Sequence, residues 1–167
     1  MHVTDLPINR TLGMQLATAG SSHLIELPAS PLLLNHVGTV HASVLFALAE
    51  ACSGEFLLQQ LGEELSPHVF AVLRTSDVKF RKPAHAPLRA SAQFAAADKA
   101  DTDGASGTTS LLNELASRSR ALASVSVAVL DAHDVIVMNG RFDWFLQRQG
   151  SAVPCHGLVM LSQTSDF

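Results

Sequence analysis

Two hydrophobic periods divide this chain. In "LRASAQF", Leu88, Ala90, Ala92 and Phe94 alternate with Arg89, Ser91 and Gln93, the period of a strand with one buried face. "ALASVSVAVL" and "VIVMNGRFDWFL" are β-rich runs separated by "DAHD", which predicts a hairpin. "HVFAVLRTSDVKFRK" reads as another strand, stopped by Pro83. Nearer the start, "GMQLATAG" and "SSHLIELPA" flank the turn residues Gly20, Ser21 and Ser22 and predict a first hairpin, after a short helix or turn at 4–12. Only one stretch predicts a long helix: roughly Val40 to Leu61, rich in Ala and Leu, with Gly62 as its C-cap. Residues 98–110, polar and rich in Gly and Ser, predict a mobile loop, and "LLNELASR" a short helix. Residues 149–167 have no clear period, so the expected organisation is one domain over 1–148 and a C-terminal tail or extension over 149–167.

Strand, strand, one long helix, then three or four strands implies an α+β fold in which an antiparallel sheet covers a single helix. One helix cannot cover both faces of a five- or six-stranded sheet, so a partner subunit is expected.

Composition narrows the function classes. The 167 residues are 47% hydrophobic and 16% charged, the balance of a globular chain. A net charge of −4 argues against nucleic-acid binding, which would show a basic stripe. Cys52 and Cys155 are too few for a disulfide framework and lack the paired spacing of zinc ligands; Cys52 falls on the predicted sheet-facing side as a small core residue. His2, His23, His85, His133 and His156 are scattered without i,i+4 pairing, so no metal is expected. The N-terminus lacks a signal-peptide core, and no stretch reads as the ~18 apolar residues of a membrane span. A cytoplasmic protein without a membrane or nucleic-acid partner is the expectation.

One residue fits poorly. With His41 as origin and 100° per residue, Leu45, Leu48, Ala49, Cys52 and Phe56 share the face expected to meet the sheet. Glu50 falls on the opposite side, with Phe46, Ala47, Gly54 and Leu57 as neighbours and no basic residue within i±4. A carboxylate in such company is either an ordinary surface glutamate or one whose pKa burial raises, a pattern found at functional sites. His41 and Glu50 stand about 13 Å apart along the axis, on opposite faces, so they cannot meet within one subunit. A shared site would lie at a two-fold interface. The helix N-terminus offers unpaired N–H groups and a positive dipole end. Gly38 and Ala42 leave room for a substrate to approach the backbone, and Thr39 is a suitable N-cap.

The run "NHVGTVHASVLFALAE" resembles the signature of hotdog-fold acyl-CoA thioesterases, in particular the PaaI-like and 4-hydroxybenzoyl-CoA thioesterase branches. Those carry Asn, Gly and His ahead of an apolar helix with Asp or Glu nine residues after the His. Asn35, Gly38, Thr39, His41 and Glu50 fall at the matching positions, and "VKFRKPA" and "GRFDWFL" resemble the family's later strands. The resemblance covers roughly residues 6–147. It implies a long helix wrapped by an antiparallel sheet, a homodimer or a dimer of dimers, and active sites between subunits acting on acyl-CoA or acyl-carrier thioesters, with coenzyme A as part of the substrate and no separate cofactor. It makes Glu50 the nucleophile or general base, the Ala42 N–H the group polarising the thioester oxygen, Asn35 an orienting group and His41 a positioning group. Two departures stand out. Ala42-Ser43 replaces the family's Gly-Gly, and the assisting strand Ser or Thr has no secure counterpart, Thr75 or Ser76 being the nearest.

Two alternatives follow. A non-catalytic acyl-CoA-binding protein belongs to a different class. A hotdog hydratase or dehydratase would use His36, fourteen residues before Glu50, but the "H-F-P-G-x-P" signature is missing. Near the end of the third strand, Lys79, Arg81, Lys82 and Arg89 are candidates for coenzyme A phosphates or an ordinary solvated strand end; the first three are the stronger candidates.

Overall fold

The computed structural model describes residues 2–96 and 107–149. After a 3-10 turn at Val3–Asp5 come α1 (Pro7–Leu12), β1 (Gln15–Leu16), β2 (Ile25–Leu27), α2 (Ala42–Leu65), β3 (Val69–Phe80), β4 (Leu88–Phe94), α3 (Gly107–Arg118), β5 (Arg120–Leu130) and β6 (Ile136–Arg148). The strands form one six-stranded sheet in the order β1-β2-β4-β5-β6-β3, every neighbouring pair antiparallel.

Alternation decides which face of the sheet meets α2. Val125, Val127 and Val129 of β5 and Phe142, Trp144 and Leu146 of β6 are buried, and the residues that alternate with them are not. The DAHD turn closes because Asp131 Oδ1 accepts from the N–H groups of His133 and Val135 (2.8 and 3.0 Å), while Asp134 takes a positive φ of 61°. Those two N–H groups hold the Asp131 carboxyl below its ordinary pKa.

The face predicted for α2 is the one that packs: Leu45, Leu48, Ala49 and Cys52 are buried, and Phe56 meets Phe94 edge-on at 5.0 Å. The opposite side is covered as well. Leu57 is buried, Phe46 packs on Phe142 at 5.7 Å, and a Cβ on Gly54 would stand 3.4 Å from Val3 and 3.7 Å from Trp144. Trp144 and Phe142 therefore belong to the core under the helix. At Gly62 the backbone turns out of helical geometry (φ 73°, ψ 169°) before the last residues of α2, which is where the sequence places the helix stop.

Two expectations need correction. Residues 107–110 are not loop: they form the first turn of α3, which buries Leu111 and Leu115 and bonds Thr108 Oγ1 to Gln60 Oε1 at 2.5 Å. Residues 98–106, the rest of that predicted loop, and residues 150–167 of the predicted tail lie outside the described residues. Residues 42–68 also reach the length and mean hydropathy (1.2) of a membrane span, but half of that window is packed inside the fold. A helix wrapped by a sheet needs the same apolar character as one wrapped by lipid.

Candidate functional site

The site is built around the start of α2. Asn35 folds the approach: its Oδ1 accepts from the N–H groups of Val37 (3.0 Å) and Thr39 (3.1 Å), and its Nδ2 donates to Thr39 Oγ1 (2.9 Å). Gly38 turns the loop at a φ of 81°, where a side chain would be strained. The Val40 N–H then bonds Ala84 O at 2.8 Å, which lays segment 81–87 against the helix start.

The N-cap is His41, not Thr39. Its Nδ1 accepts from the Ser43 N–H at 3.2 Å and lies 2.6 Å from Ser43 Oγ. Because a backbone N–H can only donate, Nδ1 carries no proton in the neutral ring and Nε2–H is left as a donor. Ala42 heads the helix and is exposed, and its N–H has no helical acceptor one turn back. Beside this turn lies a cleft of about 320 Å³, lined mainly by Pro31, Leu34, Gly38, His85 and Ala86. His85, which the sequence leaves among the scattered histidines, thus enters the neighbourhood of Gly38. No local pattern marks it, since the contact depends on Val40 meeting Ala84.

Glu50 is half-buried. It stands midway between Phe46, which rests on Phe142, and Gly54, which faces Trp144, so its turn lies along β6. Its carboxyl has no hydrogen bond or ion pair among the described residues, and burial raises its pKa. His36 is exposed in the loop, away from any bond to Glu50.

Thr75 and Ser76 separate onto opposite faces. Thr75 Oγ1 donates to Asp143 Oδ2 at 2.9 Å, with Ser124 and Arg141 bonded to the other carboxyl oxygen. Burial opposes ionisation of Asp143, but these bonds and the Arg141 charge outweigh it and hold its pKa low. Ser76 pairs with Phe142, whose ring lies under the helix, so Ser76 shares the helix side. Among the basic candidates, Lys79, Arg81 and Lys82 are exposed; Arg81 Nε donates to Asn139 Oδ1 at 2.7 Å.

Sequence reasoning missed Glu55. It is 1% exposed, its Oε1 lies 2.9 Å from His2 Nδ1, and its Oε2 accepts from the Val3 N–H at 3.1 Å. Burial, with the nearby Glu55 charge, pushes the Cys52 thiol up to about 12, so Cys52 stays a protonated core residue.

A long central helix wrapped by a six-stranded antiparallel sheet defines a hotdog-fold protein. The chain belongs to the family described as a domain of unknown function, DUF4442, whose model matches residues 7–146. No curated protein matches it. Among solved structures it is similar to a Pseudomonas aeruginosa protein of unknown function described as a probable thioesterase: 19% identity, TM-score 0.69, covering 88% of this chain and 91% of that one. It is also similar to the PaaI protein of the E. coli phenylacetic acid degradation operon, with 16% identity, TM-score 0.58 and coverage of 87% and 86%. A Bacillus halodurans protein crystallised with CoA matches at 19% identity and TM-score 0.59, over 83% and 74%. At these identities the likeness is one of fold.

Proposed function

We propose that this protein hydrolyses acyl-CoA or acyl-carrier thioesters, with Glu50 as the acting carboxylate. The observation that carries the reading is Glu50 itself, half-buried and without a hydrogen-bond or ion-pair partner among the described residues, nine positions after the N-capping His41. The description of one structural neighbour as a probable thioesterase and the CoA held by another support it.

As general base, Glu50 takes a proton from water while the water oxygen bonds to the thioester carbon. The carbonyl electrons move to oxygen, toward the Ala42 N–H and His41 Nε2–H. Collapse breaks the C–S bond, and the thiolate takes the proton from Glu50, leaving coenzyme A and a carboxylic acid that ionises to solvent. As nucleophile, Glu50 would instead attack the thioester carbon and expel the thiolate, which is protonated by solvent, and water would then cleave the resulting anhydride to the free acid and the restored Glu50 carboxylate. Asn35 and Thr39 hold the loop that presents Gly38 and Ala42. Lys79, Arg81 and Lys82 are the proposed phosphate contacts.

His41 and Glu50 are too far apart on one helix to act together, so the proposal includes a homodimer. β3 supports it: a twelve-residue edge strand, paired among the described residues only with β6, with Phe70 and Phe80 both 50% exposed. Pairing with a second β3 would satisfy that edge and bring each Glu50 toward the partner's helix start. A monomeric mass by light scattering would remove this part.

The competing reading is acyl-CoA binding without turnover, favoured by the Ala42 methyl where the family has glycine. Glu50→Gln decides between them. It keeps the shape and should lower kcat by about 10²-fold or more, within the roughly 10²–10⁴ of general-base catalysis, while leaving coenzyme A ester binding intact. Binding without turnover by the unaltered protein across an acyl-CoA panel would establish the alternative, and full activity of the variant would remove Glu50 from the chemistry.

A further inference from the structure

Ser53 is fully buried and Trp144 8% exposed, and the two are bonded: Trp144 Nε1 lies 3.1 Å from Ser53 Oγ. An indole N–H can only donate, so the serine oxygen must accept from it. The hydroxyl proton is then free for the other neighbour, the Glu50 carbonyl oxygen at 2.7 Å. Direction is thus fixed along the whole relay, from β6 through Ser53 to the backbone of Glu50. A mid-helix serine bonding back to a preceding carbonyl competes with the helical ladder and slightly bends the helix, which gives it no value as helix-forming sequence. Gly54 completes the arrangement: without a side chain there, the Trp144 ring comes against the helix one turn beyond Glu50.

We propose that Trp144 and Ser53 are positioning residues for Glu50, a hydrogen-bonded pin that fixes the turn carrying this carboxylate against β6. Their importance for catalysis rests on the hydrolase reading; the pin itself does not. Phe46 on Phe142 holds the preceding turn by packing alone, which tolerates sliding. The hydrogen-bonded pair has one geometry and resists it. Since no side-chain bond holds the Glu50 carboxylate among the described residues, it depends on its backbone for its place.

The test uses the chain's one tryptophan, whose indole N–H gives a single resonance in a ¹H–¹⁵N spectrum. Titrated over about pH 4–8, where a raised glutamate ionises, that resonance should move in the unaltered protein and stay still in Glu50→Gln. The substitution is the needed control, since Glu55 on α2, His2 beside it, and Asp143 and Arg141 on β6 also carry or can take charge nearby, whereas Cys52 stays protonated over this range. Ser53→Ala should abolish the movement and lower kcat about tenfold with KM within about twofold, inside the roughly 10²-fold that a small misplacement can cost. Trp144→Phe keeps a ring but no donor and should give the same kcat loss, and the double variant should be no worse than the more damaging single one. A merely structural pair would lower Tm and leave kcat and the indole titration unchanged. A flat indole signal in the unaltered protein, or the same movement in Glu50→Gln, overturns the proposal. No hydrolysis together with a Glu50-dependent titration would remove the hydrolase reading and leave the pin standing.

Discussion

Glu50 and Glu55 stand five residues apart on one helix, and the fold treats them in opposite ways. Glu55 is almost wholly buried, and His2 Nδ1 and the Val3 N–H meet its two oxygens. Glu50 is only half-buried and has no hydrogen bond or ion pair among the described residues. Burial alone would make Glu55 the more conspicuous residue. Partnering reverses that ranking: a buried carboxyl whose oxygens are both bonded is doing structural work, while a half-buried one left unpaired costs stability that packing elsewhere must offset. The lesson is that burial without a partner, rather than burial itself, separates the candidate catalytic group from the anchor.

Truncating the anchor should give the largest stability change. Glu55→Ala removes these bonds together with a longer one from Gln59 Nε2 (3.5 Å), strands the Val3 N–H and opens a cavity beside Cys52. The expected loss is about 2–4 kcal/mol, from an unsatisfied buried donor plus a partly relaxed cavity. Chemical denaturation of both proteins measures it. A loss below about 0.5 kcal/mol would mean that the N-terminal segment is not held by Glu55, and the contrast between the two glutamates would collapse.

His2 sharpens the same contrast at smaller scale. Its side chain is 56% exposed although its partner is 1% exposed, so water competes for one end of the bond. His2→Ala leaves the Val3 N–H bonded to Glu55 and should cost only about 1 kcal/mol or less. A loss as large as that of Glu55→Ala would make the imidazole, not the backbone N–H, the principal partner.

The two glutamates also show what the sequence could and could not disclose. Strands with strict alternation, such as β4 and β5, and the long apolar α2 are legible because their burial pattern is local and periodic. Glu50 is legible because its helix neighbours lack a basic group and because the motif around His41 puts it in place. Glu55 is not: its partners lie more than fifty residues earlier, at His2 and Val3, and no helical spacing points there. The start of α3 fails for a related reason. Gly107-Thr108-Thr109-Ser110 is poor helix sequence, yet Leu111 and Leu115 bury and Thr108 bonds Gln60, so tertiary contacts override propensity. Gly107 has its own requirement, since an added Cβ would fall 2.6 Å from the Phe94 ring. Composition registers such a glycine as a loop residue. Likewise His41 displaces Thr39 as N-cap because the bridge from Leu34 to Val40 keeps the chain extended past Thr39.

The subtlest prediction concerns pH, and its sign follows from the missing partner. Burial raises the Glu50 pKa in the folded chain, whereas the unfolded chain keeps the ordinary value near about 4.3. Between those two values the folded state holds more protons than the unfolded state, so stability falls as pH rises through the window. Above the folded pKa the whole penalty is present; below the unfolded pKa both states are protonated and it vanishes. Glu50→Gln has no such ionisation. At neutral pH the variant should therefore be slightly more stable than the unaltered protein, and the gap should close as pH falls toward 4.3. Asp143 and Asp131, whose folded values are lowered, act in the opposite sense: their stabilisation is lost as pH falls through those values. They are common to both proteins and cancel in the difference. Paired denaturation curves from about pH 4 to 8 resolve the trend. A gap that is absent or reversed at neutral pH would mean that Glu50 has a charged or donor partner in solution, and a second subunit meeting it across β3 would be the first place to find one.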